Sequence, residues 1–291
     1  MPSFQHFPAP IRAVARHAIL SNWIVPVPAF LRGLAIASVL NNTAPPAYLL
    51  GHVKDGGWWY FFMVGIAVKA PIAFLILCLI GLLALVEFAR AGKWTALAPA
   101  VSVAAILIAT MSVKYYAGVR HVMVLFPLLA MVAGCAAAHL WQLRLPVRLA
   151  GKLLLLCLLA WQVHATVMAS SDFLAYFNEF VSDPSKALVA GCDLDCGQDV
   201  LRLSQALQDR KVQTAHIALW SSADMTQMGL PPFDILAPFQ PVRGWVAVSS
   251  RARRLGCVFH ETYPLGAFAW LNGYQPVALV GKTIQLYYIP D

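Results

Sequence analysis

Long apolar runs separated by short polar links dominate the first 170 residues and predict four membrane-spanning helices. A helix needs about 20 mostly apolar residues to cross a bilayer. The aromatic side chains at residues 58–62 favour a boundary between lipid and water, where such side chains are enriched. The predicted spans are Trp59–Phe88, which includes Lys69 and Pro71, and then Trp94–Met111, His121–Trp141 and Leu149–Ala169.

A fifth and weaker apolar run covers Trp23–Leu40. Arg32 interrupts this run, and Pro26 and Pro28 disfavour a regular helix near its start. We therefore predict an amphipathic segment that lies in the membrane interface, so that residues 1–58 form an interfacial segment on the outer face. A true first membrane span is the alternative interpretation.

The pattern changes at Ser170, and the remaining residues predict a small α/β domain outside the membrane. Asp172–Phe180 is expected to form a short helix, and Asp195 is expected to cap a second helix together with Gln198. Strands are expected where apolar and polar residues alternate, which occurs at Thr214–Trp220, Gly244–Ser249, Pro276–Val280 and Thr283–Ile289.

The predicted fold class is an α-helical membrane domain of about four transmembrane helices, followed by a small α/β soluble domain. The predicted organisation has three parts. They are the interfacial segment at residues 1–58, the transmembrane helical domain at 59–170 and the periplasmic α/β domain at 171–291.

The composition is typical of a membrane protein. Hydrophobic residues make up 60% of the chain and charged residues 12%, whereas a soluble globular chain carries about 25% charged residues. The formal net charge is +8, but the basic residues mostly flank apolar runs, where lipid headgroups and membrane topology explain them. We therefore expect the membrane as a partner and no nucleic acid.

The links between the predicted spans differ in basic charge, and this difference predicts the orientation. Cytoplasmic links carry an excess of Lys and Arg. The link after the second span holds Lys114 and Arg120. The links after the first and third spans are more basic, with Arg90, Lys93, Arg144, Arg148 and Lys152. We therefore place these two links in the cytoplasm and both chain ends outside, which is the periplasmic side of the inner membrane in a bacterium.

Basic and aromatic residues near the outer surface carry the first candidate chemistry. A lysine within a span is costly in lipid, so Lys69 either meets an anionic lipid phosphate in a polar cavity or extends to the outer interface. Arginine binds phosphate through two parallel hydrogen bonds, and lysine adds a point charge. The loop that contains Lys114, Tyr115, Tyr116, Arg120 and His121 is therefore interpreted as a phosphate site, with an ordinary headgroup anchor as the alternative.

Three nearby carboxylates carry the second candidate chemistry. Asp193, Asp195 and Asp199 could hold a divalent metal or act as acid and base, although a helix cap and turns are the favoured interpretation. Cys192 and Cys196 could close a small loop if they are oxidised. No Cys/His spacing matches a zinc site, and no cofactor is indicated.

Several motifs resemble the C-terminal part of bacterial protein O-mannosyltransferase-like glycosyltransferases, which belong to the membrane-embedded GT-C superfamily. The resemblance covers most of the chain from Tyr48 onward. Its motifs are YLLGHVKDGGWWYFFMVGIAVKAP at Tyr48–Pro71, YYAGVRHVMVLFP at Tyr115–Pro127, DFLAYFNEF at Asp172–Phe180 and LDCGQDV at Leu194–Val200, with GWVAVSS and PVALVGKTIQLYYI near the end.

The resemblance implies transfer of a sugar from a polyprenyl-phosphate-linked donor on the outer face. It also implies that five residues lie near the lipid phosphate, namely Lys69, Lys114, Tyr116, Arg120 and His121. The family also has an acidic catalytic residue in a first outer loop, and nothing in this sequence matches that loop. The catalytic residues therefore stay unassigned, and a separate N-terminal chain would have to supply them. Cys196 and Asp193 stand where the family usually has an aromatic residue and an asparagine.

Two functions follow from these patterns. The first is the C-terminal part of a membrane glycosyltransferase that uses a polyprenyl-phosphate sugar and lacks the N-terminal catalytic loop. The alternative is a non-catalytic membrane accessory or assembly protein that retains the same fold. The sequence leaves open whether this chain alone is an enzyme.

Overall fold

The computed structural model describes residues 27–44, 46–189, 193–221, 223–259 and 261–290. Helix α1 at Val27–Asn42 covers most of the weaker apolar run, and residues 23–26 of that run lie outside the described residues. A short hairpin follows, with strands β1 at Ala47–Leu49 and β2 at His52–Lys54. Leu50 and Gly51 connect them with positive φ angles of 49° and 92°, as a two-residue hairpin turn requires.

The first long apolar run forms two helices, so the prediction of one continuous span over Trp59–Phe88 is wrong. Helix α2 covers Phe61–Lys69 and helix α3 covers Ile72–Arg90. Pro71 lacks a backbone N–H and disfavours helical geometry in the residue before it, and Ala70 is extended, with ψ at 142°. The Asn178 side chain donates to the carbonyls of Ala67 and Ala70, at 2.6 and 2.8 Å.

The remaining apolar runs form helices close to their predicted positions. Helix α4 at Ala98–Thr110 follows a 3-10 turn at Trp94–Leu97, helix α5 covers Leu125–Gln142, and helix α6 covers Arg148–Met168. Within the described residues, three helices are long and apolar enough to cross a membrane, namely α3, α5 and α6. The Trp94–Thr110 segment is apolar but shorter.

Small residues bring α3 and α5 close together. A Cβ atom on Gly81 would lie 2.0 Å from the carbonyl oxygen of Val132, so only glycine fits there. Buried alanines on both helices continue this contact, as is common where membrane helices pack; they are Ala73, Ala84, Ala133 and Ala136. The outward faces of α3 and α6 expose leucines, including Leu79, Leu83 and Leu156, where helices in water carry polar residues.

The C-terminal residues form a mixed five-stranded sheet with the strand order β5-β4-β6-β10-β9. Strands β5, β4 and β6 are parallel, whereas β10 is antiparallel to β6 and to β9. The four predicted strands are confirmed, one with its predicted bounds at Gly244–Ser249 and three with shorter bounds, whereas the strand at Phe233–Ile235 was not predicted. The strands are β4 at Ala215–Ala218, β5 at Phe233–Ile235, β6 at Gly244–Ser249, β9 at Ala278–Val280 and β10 at Ile284–Ile289.

Shorter elements complete the structure. Helix α7 at Pro184–Ala187 leads into strand β3 at Leu188–Val189, which pairs with β1. The hairpin before the first apolar run therefore shares a sheet with residues that follow the last one. The other elements are α8 at Val200–Asp209, α9 at Ser250–Leu255, β7 at Cys257–Val258 and β8 at Glu261–Thr262.

In the C-terminal part, the helix predicted at Asp172–Phe180 is wrong, and the second predicted helix is present but without its predicted cap at Asp195. Phe173–Ala175 is one 3-10 turn, and the backbone is extended from Tyr176 because Asn178 is bound to the end of α2. Helix α8 begins at Val200, with Asp199 rather than Asp195 in the N-cap position. Polar side chains compete locally with helix formation, and the backbone N–H groups of Gly197 and Arg251 both donate to Asp195.

The α/β domain packs against one end of the helices. Helix α2 ends there and α3 begins there, and the loop between α4 and α5 also lies at this end. Asn178 donates its backbone N–H to Val68 at 2.9 Å, and Val119 donates its N–H to Asp193 at 2.8 Å. We call this end the junction. The five basic residues of the predicted cytoplasmic links lie at or beyond the opposite helix ends.

Candidate functional site

Lys69 is the last residue of α2, so it lies before the first membrane-length helix and outside it. Its ammonium group donates to the carbonyls of Leu174 and Asp193, at 2.7 and 2.5 Å, and lies 4.3 Å from the centre of the Phe177 ring. Burial lowers the pKa of Lys69 to about 8, with Asp193 opposing and Lys282 adding to this change. Two of its three N–H donors bind backbone, which leaves one for a ligand.

Tyr116 anchors the loop between α4 and α5 to the hairpin region. Its hydroxyl donates to the carbonyl of Trp58 at 3.0 Å, and its ring centre lies 4.1 Å from that of Phe61. A Cβ atom on Gly57, where φ is 61°, would lie 1.9 Å from the Tyr116 ring. Tyr116 is buried, so its position in the structure gives it a packing role at the junction.

The exposed basic and imidazole side chains of this loop are Lys114, Arg120 and His121. Within the described residues, neither Lys114 nor Arg120 forms an ion pair. The backbone N–H of Lys114 donates to Asn41 at 2.7 Å, which positions that end of the loop. Partial burial and then the charge of Arg120 lower the pKa of His121, so the imidazole is neutral at pH 7 and acts as a hydrogen-bonding group.

Asp193 connects this loop to the end of α2. One carboxylate oxygen accepts from the N–H of Val119 at 2.8 Å, and the Asp193 carbonyl accepts from Lys69. The other oxygen, Oδ2, is buried and has no hydrogen-bond partner within the described residues. Burial raises the pKa of Asp193 to about 6, against the lowering effects of the Val119 N–H, Lys69 and Arg120.

Gly118 makes room for this carboxylate. Its φ angle is 96°, and an added Cβ atom would lie 2.4 Å from the Oδ1 atom of Asp193. Sequence reasoning missed this connection because it grouped Asp193 with the acidic residues that follow it. The available signal was a glycine beside the basic loop residues, since glycine often marks a close approach of backbone to another group.

The other two acidic residues of that group bind the α/β domain itself. Asp199 accepts three hydrogen bonds from Lys282 and Thr283, between 2.8 and 3.1 Å, and one from Arg202 at 2.7 Å. Asp195 binds Ser249 and the backbone of Arg251. No cluster of three or more His, Cys, Asp or Glu side chains within the described ranges could hold a metal ion. The three carboxylates therefore have separate structural partners.

Cys196 is disulfide-bonded, whereas Cys192 lies outside the described residues. The other cysteines of the described part, Cys78, Cys135, Cys157 and Cys257, are free thiols. Their positions give no pair of thiols near the junction loop.

The described part of the chain combines three helices long and apolar enough to cross a membrane with a mixed sheet, and this combination defines the class of the structure. Comparisons with protein-family models, with curated proteins and with solved structures found no match. The resemblance to GT-C glycosyltransferases therefore depends on the sequence motifs alone.

The junction surface combines cations with exposed apolar side chains. Trp59, Met123 and Val124 are exposed near the ends of the helices, beside Lys114 and Arg120. Anionic lipid headgroups attract Lys and Arg close to the membrane surface, by about 1 kcal/mol per residue, and aromatic side chains favour the same depth. This surface can therefore bind a phosphate that is attached to a lipid chain.

Proposed function

We propose that this chain binds a polyprenyl-phosphate-linked sugar at the junction, as part of a membrane glycosyltransferase. The supporting observation is the junction loop, which exposes Lys114 and Arg120 without ion-pair partners in the described structure. Tyr116 and Asp193 fix the shape of this loop through buried hydrogen bonds. The sequence motifs that resemble GT-C glycosyltransferases lie on the same elements.

The residues of the loop have distinct roles in this proposal. Arg120 binds two phosphate oxygens through its guanidinium group, and Lys114 adds a second positive charge. Neutral His121 donates or accepts one hydrogen bond, and Lys69 has one N–H left for the ligand. These groups would stabilise the negative charge of the phosphate as the sugar leaves. No residue of this chain is assigned as the catalytic acid or base.

The proposed orientation places the junction and the α/β domain in the periplasm, with the helices in a bacterial inner membrane. Arg90, Lys93, Arg144, Arg148 and Lys152 lie at or beyond the helix ends opposite the junction. An excess of Lys and Arg is typical of the cytoplasmic side. This arrangement supports the proposed orientation, and tagging each end with a reporter enzyme tests it.

An accessory or assembly protein is the second candidate function. Asp193, Asp195 and Asp199 all accept hydrogen bonds from other parts of the chain, which does not suit a general acid or base that must reach a substrate. This observation favours a protein that binds the lipid-linked sugar and presents it to another subunit. Both candidate functions include binding of the lipid-linked sugar, but only the glycosyltransferase transfers the sugar.

Binding of undecaprenyl-phosphate mannose to the purified chain in detergent tests the shared step. Arg120→Ala removes charge-assisted hydrogen bonds, each of which contributes about 1.5–3 kcal/mol, so we expect binding at least about tenfold weaker. Arg210→Ala is the matched control because Arg210 is an exposed arginine on the α/β domain. Equal affinity of the Arg120→Ala variant and the wild type would contradict the proposed site.

Release of undecaprenyl phosphate from the bound donor separates the two candidates. A glycosyltransferase releases the lipid phosphate as it transfers the sugar to an acceptor in membranes. An accessory protein binds the donor and leaves it intact. The same membranes without this chain give the background rate.

A further inference from the structure

A second concave site lies beside the junction, on residues other than those of the loop. It is a cavity of about 510 Å³, which falls within the usual range of about 300–1,000 Å³ for small-molecule sites. Val68 of α2, the β1–β2 turn, residues 180–187 and Arg254 of α9 line it. Val68 is four residues before Ile72, the start of the first membrane-length helix, so the cavity lies close to the expected membrane surface.

Tyr48 supplies a hydroxyl group to this cavity. The residue is only 3% exposed, and its ring packs with Ala175, Leu194 and Leu255. The hydroxyl forms no side-chain hydrogen bond within the described residues, so it can donate to a ligand in the cavity. Burial raises the pKa of Tyr48, with Arg254 opposing and Asp183 adding to this change. The hydroxyl therefore stays protonated and is available as a donor.

Arg254 supplies a guanidinium group with no assigned partner. It lies 5.5 Å from the centre of the Tyr48 ring and forms no hydrogen bond or ion pair within the part of the chain that the structure describes. The adjacent Arg253, in contrast, donates to Gln285, Tyr287 and Asn272. A guanidinium has five N–H donors in a planar fork that matches a carboxylate or a phosphate.

The remaining charges in the cavity leave it positive. Asp183 and Lys186 also line it and form an ion pair at 3.4 Å. Asp183 accepts two further hydrogen bonds from Ser185, at 2.7 and 3.0 Å. Because these two opposite charges offset each other, the charge of Arg254 is the one left for a ligand.

Apart from Ser182, the other side chains that line the cavity are apolar. Val68, Val181 and Ala187 contribute aliphatic surface, and Phe180 and Leu50 are exposed at 72% and 55%. Exposed apolar groups beside a positive group accommodate a ligand that has an anionic end and an apolar stem.

We propose that this cavity is a second binding site, which takes a ligand with one anionic group, a phosphate or a carboxylate, on a short apolar chain. Arg254 binds two oxygens of the anion, and the Tyr48 hydroxyl donates a further hydrogen bond. The apolar stem packs against Val68 and Phe180. Such an anion could belong to a lipid headgroup or to a soluble organic anion, and the site does not depend on the function proposed for the junction loop.

Calorimetric titration of the full chain in detergent, with empty detergent as the blank, tests this site. The probes are hexyl phosphate, hexanoate, inorganic phosphate and the uncharged hexanol. We expect saturable binding of hexyl phosphate that weakens at least about tenfold in Arg254→Gln, because charge-assisted hydrogen bonds are lost. Tyr48→Phe removes only the hydroxyl, and we expect binding about three- to tenfold weaker. The control Arg210→Gln loses the same charge far from the cavity and should bind as the wild type does.

The probes also distinguish the source of the anion. Tighter binding of hexyl phosphate than of hexanoate supports a lipid phosphate, whereas tighter binding of hexanoate supports a soluble carboxylate. Inorganic phosphate that binds as tightly as hexyl phosphate would contradict the packing of the apolar stem and overturn the proposal. Hexanol that binds as tightly as hexyl phosphate would overturn the proposal, as would the absence of saturable binding of any anion.

Tyr48→Phe and one further variant, Arg120→Ala, assign the binding to the cavity. If Arg254→Gln fails to fold, Tyr48→Phe decides the test, because phenylalanine keeps the packing of the ring. Binding that is lost in Arg120→Ala but retained in Arg254→Gln would place the anion on the junction loop and overturn the assignment. Hexyl phosphate binding that is retained in Arg120→Ala supports the assignment of this binding to the cavity.

Discussion

Replacing Asp193 with asparagine should remove a pH-dependent contribution to stability at the junction. Asparagine keeps an oxygen that accepts the hydrogen bond from Val119, but it cannot ionise. In the wild type, burial raises the pKa of Asp193 from its ordinary value of 3.8 to about 6. The folded state therefore binds this proton more tightly than the unfolded state does.

The magnitude follows from the two pKa values. One pKa unit corresponds to 1.36 kcal/mol, so the difference between 3.8 and about 6 is worth about 3 kcal/mol. This stability is fully present below pH 3.8 and is lost as the pH rises through about 6. Lys69, with a pKa of about 8, stays charged below pH 7 in both the folded and the unfolded state. It therefore does not make the free energy of unfolding depend on pH in that range.

Urea denaturation of the detergent-solubilised chain, followed by tryptophan fluorescence between pH 4 and pH 7, measures this contribution. We subtract the free energy of unfolding of Asp193→Asn from that of the wild type, because titrations common to both proteins then cancel. This difference should fall by about 2 kcal/mol between pH 4 and pH 7, because a small part of the effect is already lost at pH 4. Asp209→Asn, which changes an exposed carboxylate on α8, is the control. A difference that stays constant across the range would refute the reasoning.

Three further substitutions test the contacts that define the fold. Gly118→Ala should destabilise the chain by more than about 2 kcal/mol and weaken donor binding, because its Cβ atom meets Asp193; urea denaturation and lipid titration measure both. Asn178→Ala should cost about 2–4 kcal/mol, since it leaves two helix carbonyls without their donor, and a thermal melt in detergent would show it. Gly81→Val should separate α3 from α5 because of the clash with Val132; a melting temperature equal to the wild type would contradict this packing.

The helices and the main strands could be predicted because their signal is local. An apolar run of sufficient length or an alternating pattern determines an element through its own residues. The break between α2 and α3 also had a local signal in Pro71, but the apolar run continues on both sides of it. What fixes the break is Asn178, which lies more than one hundred positions later in the sequence, and no pattern near Pro71 indicates that contact.

The role of Asp193 could not be predicted from its neighbours. Three acidic residues within a short stretch indicate a shared site only if their side chains point to the same place. Here Asp193 binds the junction loop, Asp195 binds the start of α9, and Asp199 binds the residues before β10. These partners are brought together by the tertiary fold. Sequence proximity therefore favoured a helix cap and turns, with a common metal or acid–base site as the other possibility, and it could not indicate the three separate partners that the structure shows.

The contacts at the junction share one feature that bears on its function. Lys69, Asn178 and Tyr116 all donate to backbone carbonyls, and Asp193 accepts from a backbone N–H. Apolar surfaces pack in many similar arrangements, whereas hydrogen bonds to backbone groups have narrow limits of distance and angle. The contacts of Lys69, Asn178 and Asp193 therefore fix the α/β domain at one position on the helix ends, and that of Tyr116 fixes the junction loop to residue 58. Arg120 follows Val119 directly, so the contact between Val119 and Asp193 also fixes the position of the exposed Arg120 side chain. A phosphate site requires such fixed donors if they are to be arranged before the ligand arrives.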